Sequence, residues 1–276
     1  MLTDSSSPVN ASETVGLRRQ LFFLALPVLA EQFLNFCIGF FDVYLSGRLG
    51  KTETAAIGLS AYVSWLASMI FSLVGTGTAA VVAREWGAGH HDSARRVAGR
   101  SLTLAPVIGL LVFGLLQVMA TAFPSMLNME GEQRRIATEY LRIDACGQFF
   151  VSWTLIASAA FRGVGDMYSP LRVLIFTNIM NMIISVSFTW GVHWPGTTDM
   201  LVPALGVIGI VTGTTIANFC GALLMTYLLF SRKSRLYVSR SDFGFHKETM
   251  WRVLRIGGPA ALGGLCTFVG HFPSSW

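Results

Sequence analysis

Charged residues are scarce in this sequence: Asp, Glu, Lys and Arg make up 13% of its 276 residues, whereas 53% are apolar. This composition is typical of a chain that is surrounded mostly by lipid, and it argues against a single water-soluble domain. The net charge of +5 does not indicate nucleic-acid binding, because Lys and Arg lie between the long apolar segments or near their ends, where they report topology.

Patterns that mark metal, redox or catalytic sites are also missing. The four cysteines (Cys37, Cys146, Cys220 and Cys266) are isolated, with no CxxC or Cys/His spacing. We find no GxSxG, HExxH or paired catalytic acid pattern, and no apolar segment carries the Lys that a retinal Schiff base needs. We therefore predict a protein that is not an enzyme and has no cofactor beyond a coupling ion.

Six apolar segments are long enough to cross a bilayer, which takes about 20 residues of helix. They are 21–45, 54–83, 101–123, 140–161, 170–190 and 202–230, and a seventh begins near Val253. We predict an all-α membrane protein: a six-helix lobe plus the beginning of a seventh helix. Its predicted parts are a disordered tail (1–20), the lobe (21–230), an inter-lobe loop (231–252) and the start of a second lobe (253–276).

Basic residues distinguish the two membrane sides. Alternate loops from the N-terminus onward receive most of the twenty Lys and Arg, whereas the segment 193–200 receives none. Basic loops stay in the cytoplasm, so we predict an integral protein of the plasma or inner membrane with a cytoplasmic N-terminus.

Polar side chains recur at helical spacing inside three of the apolar segments. They are Glu31, Asn35 and Asp42 in the first, Asn178, Asn181 and Ser185 in the fifth, and Thr214 and Asn218 in the sixth. Polar stripes in lipid must face one another. We predict a hydrated cleft in which Asp42 is the only strong acid near the outer half.

Acids inside spans are rare and mark ion or proton pathways by default. A carboxyl group that binds a cation when enclosed and releases it when the cleft opens can couple that cation to another solute. Simpler roles stay open: Asp42 as an interfacial acid near Arg48, Glu31 as a structural partner of an amide or hydroxyl, and the Asn, Ser and Thr residues as packing contacts. Pro27 is either a first-turn proline or the site of a helix bend, and Gly209 and Gly213 form a close-packing pair.

Four motifs occur in order along the chain. They are ALP at 25–27 followed by DVYLSGRLG at 42–50, VAREWGAG at 82–89, FRGVGDMYSP at 161–170, and GVIG at 206–209. In this order, the chain resembles the first lobe of the multidrug and toxic compound extrusion family. The resemblance implies half of a twelve-helix antiporter with two six-helix lobes. Two such halves are common in transporters, and 258–262 (GPAAL) loosely repeats 26–30 (LPVLA).

The same resemblance implies roles for particular residues. Asp42 matches the family's first-helix acid implicated in coupling, and Asn181 and Thr214 match its neighbours. Ser185 stands where many prokaryotic members have an acid, which leaves one carboxylate fewer to share a cation and counts against direct sodium binding.

The predicted function is a cation-coupled antiporter, with a proton favoured over Na⁺, that exports amphipathic and often cationic organic compounds. One alternative is a half-transporter that is inactive alone or pairs with a second lobe or a second copy. A further alternative is a lipid-linked oligosaccharide flippase, which basic residues inside the spans would favour. The expected partners are membrane lipid and small organic substrates, with no nucleic acid.

Overall fold

The computed structural model describes residues 11–193 and 200–271, with side chains for 25–51, 53–192 and 203–259. In these ranges the helices are α1 (Ala11–Gly47), α2 (Lys51–Gly87), α3 (His91–Met126), α4 (Gly131–Gly163), α5 (Tyr168–Trp190), α6 (Val207–Phe230) and α7 (Lys247–His271). A short antiparallel pair joins β1 (Val192–His193) to β2 (Met200–Val202) between α5 and α6. The fold is otherwise helical, as predicted.

Helices α1 to α6 each contain a stretch long and apolar enough to cross a membrane. The predicted six-span lobe is therefore confirmed. Helices α2, α3 and α4 are longer than the predicted spans, because polar residues continue a helix past its apolar stretch. The connections from α1 through α5 are three or four residues long, and connections this short favour antiparallel neighbours.

Three further predicted boundaries differ from the structure. The sixth span was predicted to begin at residue 202, but Met200–Val202 form β2 and α6 begins at Val207. Helix α1 begins at Ala11, so residues 11–20 of the predicted disordered tail are helical. Helix α7 begins at Lys247, inside the predicted inter-lobe loop. Both α1 and α7 begin with polar residues. A prediction based on runs of apolar residues therefore misses the first turns of these helices.

The remainder of the predicted inter-lobe loop is packed against the lobe. Leu236 and Val238 are fully buried in the main hydrophobic core, which α2, α3 and α4 supply with most of their buried apolar side chains. The backbone N–H of Gly244 donates to Thr103 Oγ1 on α3 at 3.1 Å. This segment therefore connects α6 to α7 along a fixed path.

Helix α1 lies at the edge of the bundle, where it packs mainly on α5 and α2. Its other side is apolar and open: Phe33, Phe36 and Phe40 are 65–67% exposed. A helix face of this kind in a membrane protein is covered by lipid or by another protein segment.

Helices α5 and α6 approach closely at glycines, as the Gly209 and Gly213 spacing predicted. A Cβ built on Gly213 would lie 2.5 Å from Ser185 Oγ and 2.6 Å from the Ser185 backbone nitrogen, and Gly209 faces the backbone at Phe188 in the same way. Small residues let helix backbones meet in lipid, where packing and hydrogen bonds drive association.

We expect Gly213→Ala to destabilise the lobe, because the added methyl group meets α5 backbone that cannot move aside. Overpacking of this kind costs about 1–3 kcal/mol. Gly114→Ala is the matched control, since a Cβ there meets no atom within 4 Å. Unfolding of both variants in detergent micelles measures the difference, and equal stabilities would contradict the close contact.

Candidate functional site

A cavity of about 510 Å³ opens between α1, α2, α4, α5 and α6. Its polar lining comes from all five helices: Glu31, Gln32, Asn35, Ser68, Ser72, Thr154, Ser158, Arg162, Thr177 and Asn218. Three of the predicted cleft residues, Glu31, Asn35 and Asn218, are among them. The other predicted site residues lie at helix contacts outside this lining.

Glu31 forms an ion pair with Arg162, the penultimate residue of α4, at an Oε2 to Nη1 distance of 3.1 Å. The two side chains are 13% and 32% exposed, respectively. The structural partner of Glu31 is thus a guanidinium rather than the expected amide or hydroxyl. Because the two charges cancel, this end of the cavity is polar with little net charge.

The predicted polar residues of α5 hold that helix against its two neighbours. Asn178 Nδ2 donates to the Leu34 carbonyl of α1 at 3.2 Å, and Asn181 Nδ2 donates to Thr214 Oγ1 of α6 at 2.8 Å. Ser185 Oγ donates to the Ile210 carbonyl at 3.2 Å. The amide oxygens of Asn178 and Asn181 are buried and have no hydrogen-bond partner, so each can still accept a hydrogen bond or a cation.

Asp42 lies in the last two turns of α1, five residues before its end. Its Oδ1 atom is buried and has no hydrogen-bond partner. A buried, unpartnered carboxylate oxygen is costly unless it is protonated or bound to a cation.

A second acid lies within a candidate spanning helix, Asp144 of α4. Asp144 is 9% exposed and accepts hydrogen bonds at Oδ2 from Ser64 Oγ of α2 at 2.6 Å and from Gln148 Nε2 at 3.4 Å. These donors connect α2 and α4 around the carboxyl group.

A sequence signal for Asp144 was present. Tyr140, Asp144, Gln148 and Ser152 recur every four residues within the fourth apolar segment, and all four are buried. This fourth polar stripe follows the same rule that identified the stripes on the first, fifth and sixth segments.

Pro27 lies in the interior of α1 rather than in its first turn, so that alternative is wrong. Proline has no N–H to donate to the carbonyl of residue 23. In the described part of the chain, no three His, Cys, Asp or Glu side chains form a group that could hold a metal ion. A cation here would be held by fewer carboxylates together with neutral oxygen atoms.

We expect Glu31 and Arg162 to be energetically coupled, because removing one leaves the other charge half-buried without a partner. Unfolding of Glu31→Gln, Arg162→Gln and the double variant in micelles gives the coupling energy, which we expect to be about 1 kcal/mol or more. Effects that simply add would show that the ion pair contributes nothing to stability.

Comparison with known proteins places the chain among transporters. Residues 27–187 match the family model MatE. The chain is 29% identical over 256 residues to the probable multidrug resistance protein NorM of Thermotoga maritima, covering 91% of this chain and 52% of the relative. It is 23% identical to the multidrug export protein MepA of Staphylococcus haemolyticus, covering 91% and 53%.

Solved structures agree on the fold. A MATE crystal structure in the bent conformation superposes with a TM-score of 0.81 at 22% identity, over 92% of this chain and 55% of that chain. A MOP superfamily transporter from Pyrococcus furiosus gives 0.77 at 24% identity, over 90% and 53%. The chain spans about half the length of these relatives. It belongs to the MatE family, the multidrug and toxic compound extrusion transporters, whose members are transporters rather than enzymes.

Proposed function

We propose that this lobe is part of a cation-coupled antiporter of the multidrug efflux type, in which Asp42 binds the coupling ion. The observation that carries the proposal is the buried, unpartnered Oδ1 atom of Asp42 inside a spanning helix. Intramembrane acids are functional by default because their burial is costly. A bound cation removes that cost, and its release requires a conformation that readmits water.

The neighbouring helices support a proton rather than Na⁺ at Asp42 itself. The Ser185 hydroxyl donates to the Ile210 carbonyl, and the Thr214 hydroxyl accepts from Asn181. Both hydroxyls therefore already connect α5 to α6. A proton needs one carboxylate oxygen, whereas a metal cation needs several free oxygen ligands.

The substrates we propose are small amphipathic organic compounds that enter the cavity beside Glu31, Asn35 and Asn218. Its volume of about 510 Å³ lies within the range of about 300–1,000 Å³ that is typical of small-molecule sites. The flippase alternative expects unpaired basic charge for an anionic lipid-linked substrate. Arg162 lines this cavity, but its charge is paired with Glu31.

We also propose that the lobe works with a second lobe or a second copy, with its N-terminus in the cytoplasm. Rocking of two halves around a central site gives alternating access. The exposed apolar side of α1, with Phe33, Phe36 and Phe40, supplies a surface that such a half could cover.

The main test is Asp42→Asn in proteoliposomes that carry an imposed proton or Na⁺ gradient. The amide cannot exchange a proton, so gradient-driven efflux of a fluorescent amphipathic cation should fall to the level of protein-free liposomes. The assay is run on this chain and on a version joined to a second lobe. Asp92→Asn, which alters an exposed acid paired with Arg95 on α3, is the matched control. Normal coupled efflux by Asp42→Asn would refute the proposal.

A second test concerns the proposed bend of α1 at Pro27. Pro27→Ala restores the missing backbone hydrogen bond, and an interior proline destabilises a helix by about 3 kcal/mol. The straightened α1 should respond less to protonation, so the pH dependence of efflux should flatten. Pro106→Ala, in the interior of α3, is the control. Transport and pH dependence that match the unmodified chain would remove Pro27 from the mechanism.

A further inference from the structure

The ion pair of Glu31 and Arg162 lies in the wall of the cavity. Both side chains belong to its lining, and their exposed fractions are 13% and 32%. Among the residues that the structure describes, a single hydrogen bond joins them, from Arg162 Nη1 to Glu31 Oε2 at 3.1 Å. A guanidinium group has further N–H donors, and a carboxylate has a second oxygen atom. Both charges can therefore be reached by a solute in the cavity.

The pairing of these two charges sets a condition on the charge of a solute. A solute with one positive charge binds Glu31 in competition with Arg162, whose guanidinium then loses its partner. A solute with one negative charge has the same effect on Glu31. Leaving one member of a partly buried ion pair without a partner is destabilising. A solute that carries both charges avoids this cost, because each side chain keeps an opposite charge beside it.

The same cavity offers an apolar surface close to the two charges. It is supplied by aliphatic side chains of α4 and α5, which are Val151, Leu155, Val173 and Leu174. Small-molecule sites commonly combine an apolar wall with a few polar groups that fix orientation. An amphipathic solute can thus place its apolar body against α4 and α5 and its charged end at the ion pair.

We infer that Glu31 and Arg162 determine the charge specificity of this cavity, and that they select dipolar amphipathic solutes over solutes with one charge. The ammonium group of such a solute binds the Glu31 carboxylate, and its anionic group binds the Arg162 guanidinium. This inference rests on the proposed function, because it takes the cavity as the place where organic solutes bind. It does not involve Asp42 or the coupling ion.

The test is the binding of three dansyl probes by the purified full chain in detergent micelles, without an ion gradient. Dansyl-cadaverine carries an ammonium group, dansyl-lysine labelled on its side-chain nitrogen adds a carboxylate beside that ammonium, and dansyl-aminocaproate carries the carboxylate alone. The probes share one fluorophore and have similar chain lengths, so they differ mainly in charge. Dansyl fluorescence reports transfer from water to an apolar site, and micelles without protein give the background.

We expect the unmodified chain to bind dansyl-lysine about tenfold more tightly than either singly charged probe, which is the effect of about one hydrogen bond to a charged group. Glu31→Gln leaves Arg162 unpaired and should make dansyl-aminocaproate the tightest-binding probe. Arg162→Gln leaves Glu31 unpaired and should make dansyl-cadaverine the tightest. The double variant should bind all three probes equally. Glu132→Gln, which alters an exposed acid paired with Arg135, is the matched control and should keep the original order.

The outcomes separate this inference from cation coupling. Equal binding of dansyl-lysine and dansyl-cadaverine by the unmodified chain would overturn it, and so would single variants that keep the original order of probes. The double variant has no unpaired charge and decides the matter if a single variant is not monodisperse, since an unchanged preference for dansyl-lysine there would also overturn the inference. No binding of any probe would overturn it together with the proposed substrate cavity. Coupling at Asp42 is judged by gradient-driven efflux, so its failure would leave these binding results unaffected.

Discussion

The structure depends on one constraint, which is that polar groups inside a bilayer must find partners within the protein. Helices α5 and α6 meet it with Asn181 bound to Thr214 and Ser185 bound to the Ile210 carbonyl. Gly209 and Gly213 bring the two backbones close enough for these contacts. The α5–α6 pair is therefore a rigid part of the lobe, against which other helices can be positioned.

The same constraint is met differently at the two acids of α1. Glu31 is neutralised by Arg162 inside the protein, so its charge needs nothing from outside. Asp42 retains a buried Oδ1 atom without a hydrogen-bond partner. The two acids of α1 therefore differ, because Glu31 has a basic partner within the lobe, whereas the Oδ1 atom of Asp42 has no hydrogen-bond partner.

The sequence was sufficient to predict the membrane class, the six spans and close packing at Gly209 and Gly213, because these follow from apolar length and from local spacing. The same patterns were not sufficient to decide whether all the polar residues share one cleft. Glu31 and Asp42 lie on one stripe but are eleven residues apart, about 16 Å along a helix at 1.5 Å per residue. Residues on the same face of one helix can therefore belong to two separate sites.

Asp144 and Arg162 show a second reason why the site was only partly predictable. Asp144 lies in the interior of α4, and Arg162 is its penultimate residue. Their importance comes from partners on other helices, Ser64 on α2 for Asp144 and Glu31 on α1 for Arg162. Contacts between segments far apart in sequence depend on how the helices are arranged, which spacing within one helix does not encode.

Helix α1 combines the features that a moving element needs. It packs on the bundle along one side only, contains Pro27 in its interior, and is tied to α5 near its middle by the single amide of Asn178. The energy that holds it is accordingly small beside that of the α2–α4 core, since few of its apolar side chains are buried.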